Sequence, residues 1–351
     1  EQPMIVQGIP RASAPPDFSN LLSVLNRARP RRPTLCEIFM GGVAQTRLAG
    51  HVAPAGDVSA EYLLKLQAFH NAGYDYVPIL VPGFHFPRGE SRREATRSLN
   101  EGALITDRAS FDEYDWPDPD HGDYALTDRL AERLPDGMKI VLHGPGGVLE
   151  NAIHLVGFER MCLLTVDDPE LAGDVFEAVG SRLVGYYERA VQHDAVGAVV
   201  GNDDWGFKSQ TMLPPETMRR FVFPWHKQIV QAAHRAGKPT ILHSCGCLTA
   251  VMDDLIDDIG YDGKHSFEDT IVPVEDAYDR YRERVAIIGG IDVDFMCRST
   301  ADAVYERSRN MLLRSDRDGA YALGTGNSIP DYVPIENVFA MIRAALDLRE
   351  A

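Results

Sequence analysis

Short apolar runs alternate with longer amphipathic segments along most of this chain. The short runs fall at 34–40, 74–80, 139–143, 197–202, 239–244, 261–266, 285–289 and 321–324. Several are continuously apolar and bounded by Gly or Pro, as expected of strands covered on both faces. The segments between them place apolar residues at i, i+3 and i+4, which predicts helices over 61–72, 169–191, 215–236, 248–259 and 300–314. Eight strands alternating with helices predict an α/β fold, a single (β/α)8 TIM barrel. The competing open, doubly wound sheet would carry a Gly-rich dinucleotide turn after its first strand, and Met40-Gly-Gly-Val43 matches that poorly.

Residues 1–30 read as an extended, Pro-rich lead-in (10–16) and a first helix; 31–351 read as one barrel domain. The stretch 88–135 is too long for a simple strand-to-helix connection. We read it as an insertion after the second strand, at the barrel mouth, with a hairpin over 103–114 and the role of a substrate lid.

In such a barrel the chemistry collects where the strands end. Those ends carry Glu37 and Phe39, then Phe84 and His85, His143, Asp203 and Asp204, His243 and Cys245, His265 and Glu268, Asp292, and Asn327. The sharpest motif is Leu242-His-Ser-Cys-Gly-Cys247. Residues i and i+2 of a strand point the same way, so His243 and Cys245 can offer one nitrogen and one sulfur to a single ion. Imidazole plus thiolate suits zinc, and a catalytic zinc needs a third protein ligand. Glu268 is the first choice, with Asn327, His265 and Cys247 behind it. The competing reading makes His243 and Cys245 ordinary core residues. In Gly201-Asn-Asp-Asp-Trp-Gly206, one of the two carboxylates should face inward as an acid or base and the other away. A cap on the following helix is the alternative. His143 precedes a Gly-rich turn that permits close approach of a ligand. Asp292 either contacts substrate or caps a helix, and Cys297 is expected to be structural. Phe39, Phe84, Phe86 and Trp205 either line the mouth or fill the core.

Composition removes several classes. The 351 residues carry a net charge of −17, which repels a nucleic-acid backbone. The basic runs 27–32 and 92–97 are short and read as solvated surface. No apolar stretch is long enough to cross a membrane, and no signal-peptide pattern opens the sequence. Five scattered cysteines read as reduced thiols in a cytoplasmic protein. No Gly-x-Ser-x-Gly elbow, Walker loop or His-Glu-x-x-His is present.

Taken in order, several segments resemble the uroporphyrinogen decarboxylase-like superfamily, and most of all its branch of zinc-dependent corrinoid methyltransferases and O-demethylases. They are Arg31-Arg-Pro-Thr-Leu35, Tyr114-Asp-Trp-Pro-Asp-Pro119, Gly201-Asn-Asp-Asp-Trp-Gly206, Leu213-Pro-Pro-Glu216, His243-Ser-Cys-Gly246, Gly289-Gly-Ile-Asp292, Gly324-Thr-Gly-Asn-Ser-Ile-Pro330 and Pro334-Ile-Glu-Asn337. The resemblance implies a TIM barrel with zinc on His243 and Cys245. Glu268 matches an acidic position after the sixth strand of zinc methyltransferases. Asn327 stands where those relatives supply a further Cys. The Arg-rich first-strand motif of the decarboxylase is replaced by Glu37-Ile-Phe-Met-Gly-Gly42.

The function so implied is methyl transfer from a small methylated substrate, an O-methyl compound, to the cobalt of a partner corrinoid protein. Asp204, Asp203 and His143 are the expected catalytic groups. Glu37, Phe39, His85, Trp205, His265, Asp292 and Asn327 are the expected substrate contacts. No Asp-x-His-x-x-Gly motif occurs, so the corrinoid arrives on a partner, and a homodimer is also compatible. The alternatives are transfer from methylcorrinoid to tetrahydrofolate or a thiol, and a metal-free decarboxylase.

Overall fold

The structure, a computed structural model, describes residues 8–89 and 99–350. Seven strands form one parallel sheet in sequence order: β1 (Tyr76–Leu80), β2 (Lys139–His143), β3 (Val196–Asn202), β4 (Thr240–His243), β5 (Gly263–His265), β6 (Ala286–Ile288) and β7 (Tyr321–Ala322). Helices follow the strands and cover the sheet, so the strands are almost wholly buried and continuously apolar. Because neighbours are parallel, all C-terminal ends open on one side. The register sets Asn202 beside His243 and His243 beside His265.

Where the pattern predicts eight strands, the described residues form seven. The expected first strand, 34–40, is present as isolated parallel bridges, Leu35 to Leu323 and Met40 to Ile329, on the far side of β7. Cys36 N donates to Leu323 O at 2.7 Å, and Leu323 N to Thr34 O at 2.8 Å. Towards β1, a side chain replaces the ladder. The Tyr76 hydroxyl bonds both the N–H and the C=O of Glu37, each at 2.6 Å. The fold is thus a curled, barrel-like parallel sheet.

Two further expectations are corrected. The hairpin over 103–114 is a helix, Arg108–Glu113. Asp107 caps it by accepting from Ser110 N at 2.8 Å, and the Ser110 hydroxyl returns to the Asp107 backbone. The helix over 215–236 is two, Pro215–Phe221 and Phe223–Arg235, broken at Val222 where Pro224 removes a donor. Residues 90–98 of the expected insertion, with the basic run 92–97, lie outside the described residues. In the other basic run, Arg29 pairs with Asp316 at the surface and Arg32 with the buried Asp75. No helix among the described residues is long and apolar enough to cross a membrane.

A Cβ added at Gly324 would overlap the Cys36 carbonyl oxygen, because the 34–36 segment packs directly on β7. Gly324→Ala should therefore destabilise the protein by about 2 kcal/mol or more, in the range of core overpacking. A denaturant midpoint equal to that of the wild type would contradict this packing.

Candidate metal centre

His243 ends β4, and Cys245 follows two residues later on the same side. Asp204 arrives from the neighbouring β3 through the turn after Asn202, and its Oδ1 accepts from Cys245 N at 2.8 Å. Cys245 Sγ lies 3.9 Å from His243 Nε2, and Asp204 Oδ1 lies 4.0 Å from the same nitrogen. The three donor atoms all fall within 4.8 Å of one another, the group among the described residues able to hold a metal ion. A tetrahedral zinc with bonds of roughly 2.0–2.3 Å sets its ligands roughly 3.4–3.6 Å apart. The donors stand wider than that, so they would draw together around an ion.

The protons are arranged for it. Nε2 of His265 faces Thr325 O at 3.1 Å, and a carbonyl only accepts, so Nε2 carries the hydrogen. Burial pushes His243 down to about 3 and His265 well below the usual histidine range, so both rings are neutral at pH 7. His265 Nδ1 is then a bare lone pair. It accepts from His243 Nδ1–H at 2.7 Å, which leaves the lone pair of His243 on Nε2, facing Cys245 and Asp204. The chain continues outward: Thr325 donates from N (3.0 Å) and from its hydroxyl (2.9 Å) to the buried Glu37 Oε2. Burial first, then the Asp204 charge, raises the Cys245 thiol, so the protein alone holds it protonated. A cation between the three donors is what would favour the thiolate. Asn327 Nδ2 donates to Cys245 Sγ at 3.2 Å, an outer contact on the sulfur. Beneath the site, Lys264 Nζ is buried against the Ser244 and Ser266 carbonyls, and burial lowers it to about 8.

Several expected site residues lie elsewhere. Glu268, expected as the third ligand, is not in the group; the turn after β3 brings Asp204 into that place. Glu268 instead borders two clefts beside the centre. Asp203 is fully buried and committed. It accepts from Leu149 N and Glu150 N at 2.9 Å each, from Trp205 Nε1 at 3.0 Å, and contacts His226 Nε2 at 2.8 Å. Asp203 is thus a helix cap from a distance, and of the Asp pair only Asp204 reaches the donor cluster. Trp205 is fully buried against Phe223 and His226, so its ring is core rather than a wall of the mouth. Phe84 and Phe86 pack on each other, and Phe84 stacks on Tyr186.

His85 is exposed and borders a separate cleft with Arg88 and Asn151. Asp292 caps helix Val293–Arg298 by accepting from Phe295 N at 2.8 Å, while still bordering the 750 Å³ cleft that Asn327 and Cys297 line. Phe39 stands edge-on to both His143 and His243, with centroids 5.2 Å from each. One group was missed from the sequence. Glu150, in the first turn after Gly147, is raised to about 8 by burial and by Asp203 and Asp204, so it is an acid at neutral pH. Its spacing from the Gly-rich turn marks it only as a first-turn acid.

Two outcomes follow from the proton chain. Replacing His265 by Leu should weaken zinc binding about 10–100-fold, as loss of a ligand's outer partner does, with the far-UV spectrum unchanged; competition with a chromophoric chelator reads it, and unaltered affinity would rule the chain out. Glu37 is raised to about 8 by burial against its Thr325 bonds. The folded state therefore binds that proton more tightly than the unfolded chain. This contribution is complete below the unfolded value near 4.5 and is lost as pH rises towards 8. Urea titrations should show Glu37→Gln losing less stability than wild type between pH 5 and 8, and parallel curves would exclude the effect.

Residues 103–348 match the family described as Uroporphyrinogen decarboxylase (URO-D). The methylated-thiol–coenzyme M methyltransferase of Methanosarcina mazei is 25% identical over 358 residues, covering 92% of this chain and 90% of that protein. A uroporphyrinogen decarboxylase of an Anaeromyxobacter species is 26% identical over 222 residues, 63% of this chain and 60% of its own length. A solved methyltransferase from Methanosarcina mazei shares the fold, with a TM-score of 0.70 over 95% of this chain and 98% of that one at 17% identity. The near full-length match to a methyltransferase is consistent with the corrinoid methyltransferase branch. With the matched region spanning well over half of its residues, this chain belongs to the uroporphyrinogen decarboxylase (URO-D) family.

Proposed function

We propose that this protein is a zinc-dependent methyltransferase that moves a methyl group from a small O-methyl compound to the cobalt of a separate corrinoid protein. The observation that carries the reading is the convergence of His243 Nε2, Cys245 Sγ and Asp204 Oδ1 where β3 and β4 end, with the lone pair of His243 assigned to the correct nitrogen. The likeness to the methylated-thiol–coenzyme M methyltransferase supports the same class. His243, Cys245 and Asp204 would hold the ion, which when bound supplies a Lewis acid to the heteroatom that carries the methyl group.

The chain's own residues do the rest. His265 and Thr325 keep the His243 ring turned. Asn327 donates to the Cys245 sulfur and so draws charge from it. Glu150, which burial and the Asp203 and Asp204 charges hold towards its protonated form, would be the acid that returns a proton to the departing alkoxide. Phe39 walls the approach and excludes water. The methyl–oxygen bond breaks as the cobalt nucleophile takes the methyl carbon, and the oxygen leaves as an alcohol.

Oxygen is favoured over sulfur as the leaving atom because the donor set is hard. It holds one thiolate beside a carboxylate and an imidazole, and an amide stands where the resembling zinc enzymes place another thiolate. The test compares methyl ethers with methyl thioethers as donors to cob(I)alamin, and methylcobalamin with thiols and tetrahydrofolate in reverse. The expected result is about one zinc per chain and ether-dependent methylcobalamin formation, both abolished in His243→Ala and Cys245→Ala. Thioether turnover alone would leave the class and reject the donor. Protein that takes up no zinc and decarboxylates a porphyrinogen would reject both.

A further inference from the structure

A second cleft of about 580 Å³ lies on the other side of Phe39 from the metal centre, between helices Gly42–Ala49 and Val58–Ala72 and the ends of β1 and β2. Its walls are mainly apolar, including Ile38, Met40, Val52 and Leu64. Gln45, Glu61 and Tyr62 also border it, as do two basic side chains. One is His143, which is buried and whose Nδ1 contacts Gly144 O at 3.3 Å. The other is Lys65. Its ammonium has neither a hydrogen bond nor an ion pair among the described residues, and the Tyr62 ring centroid lies 5.9 Å away. This lysine is half-buried and burial lowers it; its charge helps hold the His143 imidazole down at about 3. By contrast, arginines at the surface, such as Arg219 and Arg314, are paired with carboxylates. A cation that gives up water without gaining a partner costs stability, so an anion in the cleft would restore what the fold leaves unmet. A mainly apolar cleft whose lysine is unpaired among the described residues, with Glu61 on the border but joined to it by no hydrogen bond or ion pair, matches a ligand with an apolar body and one anionic end.

We propose that Lys65 is the anchor of a carboxylate subsite, and that the methyl donor is a monocarboxylate whose acid group binds there while its body lies along Phe39 towards His243. The proposal rests on the methyltransferase reading for what happens at the far end of the donor, and on the cleft alone for the binding of the acid. Phe39 stands 5.2 Å from both imidazoles, so the ring of His143, which borders the cleft, and that of His243 stand no more than about 10 Å apart. Lys65 is a binding residue here and takes no part in bond breaking. Any transfer keeps the balance given above, with the carboxylate unchanged.

Calorimetry with paired probes tests this. The probes are 3-methoxypropionate and 4-methoxybenzoate, each beside its neutral amide, added to zinc-treated full-length protein. The acids should bind at least tenfold more tightly than the amides. Lys65→Met should remove that preference while amide affinity and metal content stay within twofold of wild type, and Lys65→Arg should retain most of it. Acids that bind no better than their amides, or a preference that survives in Lys65→Met, would overturn the subsite. The two readings fail separately. Ether-dependent methyl transfer with no acid preference rejects the subsite and keeps the transferase. Acid binding that depends on Lys65 without methyl transfer to cobalt rejects the transferase and keeps the subsite.

Discussion

The register of three neighbouring strands underlies the whole site. Backbone hydrogen bonds run from Asp203 N to His243 O and from Ser244 N to His265 O, each at 2.9 Å. They put the ends of β3, β4 and β5 level, with Asn202, His243 and His265 in one row. Two residues further along come Asp204 and Cys245, where Cys245 N donates to Asp204 Oδ1. A slip of one residue would turn His243 into the opposite face, because side chains alternate along a strand. The parallel sheet leaves no such freedom. Its strands are buried on both sides and packed at zero exposure over Val199, Val200, Ile241 and Leu242. Donor geometry at the mouth is therefore set by apolar packing beneath it.

The same burial makes the polar groups here expensive and well defined. His243, His265, Lys264, Glu37 and Asp203 are all buried. Each is kept by specific partners rather than by water, and each partner fixes an orientation. Asp203 shows the principle most fully. Its two oxygens take two helix N–H groups, an indole N–H and an imidazole, so it stitches β3 to helices Val148–Val156 and Phe223–Arg235. Even the glycine before that helix is constrained, since a Cβ at Gly147 would overlap the Asp203 carboxylate. Two adjacent aspartates thus divide the work: one holds the turn, and the turn holds the other at the donor cluster.

This division explains what the sequence made legible. Strand ends and the His-x-Cys pair follow from two-residue periodicity, which is local and strong. The expectation of a third ligand on the next strand was also local in logic, and it chose Glu268. The structure brings Asp204 instead, because the turn after β3 folds back onto the Cys245 backbone, and no periodicity encodes that contact. Trp205 reads as a mouth aromatic by position, yet its indole N–H has a buried acceptor two residues away, and that draws the ring inward. The 34–40 segment has the composition of a strand. It pairs on one side only, because a tyrosine hydroxyl occupies the place of a ladder on the other. Lys65 and Glu150 were invisible as site residues because charged residues on amphipathic helices ordinarily face water.

Charge at the mouth runs against charge on the whole. The chain carries −17, yet strand β5 holds Lys264 beneath the donor cluster, and helix Val58–Ala72 sets Lys65 in the cleft beyond Phe39. A divalent ion would balance the Cys245 thiolate and the Asp204 carboxylate, leaving Glu268 as the acidic neighbour of Lys264 and Glu61 on the border of the Lys65 cleft. Partly buried charges are screened less than the surface carboxylates, whose field solvent screens within about 8–10 Å. The acidic exterior thus disfavours anionic ligands in general, while the carboxylate subsite proposed at Lys65 would hold one at a defined point. Selectivity of this kind comes from burial, since the same lysines at the surface would be paired with carboxylates or hydrated.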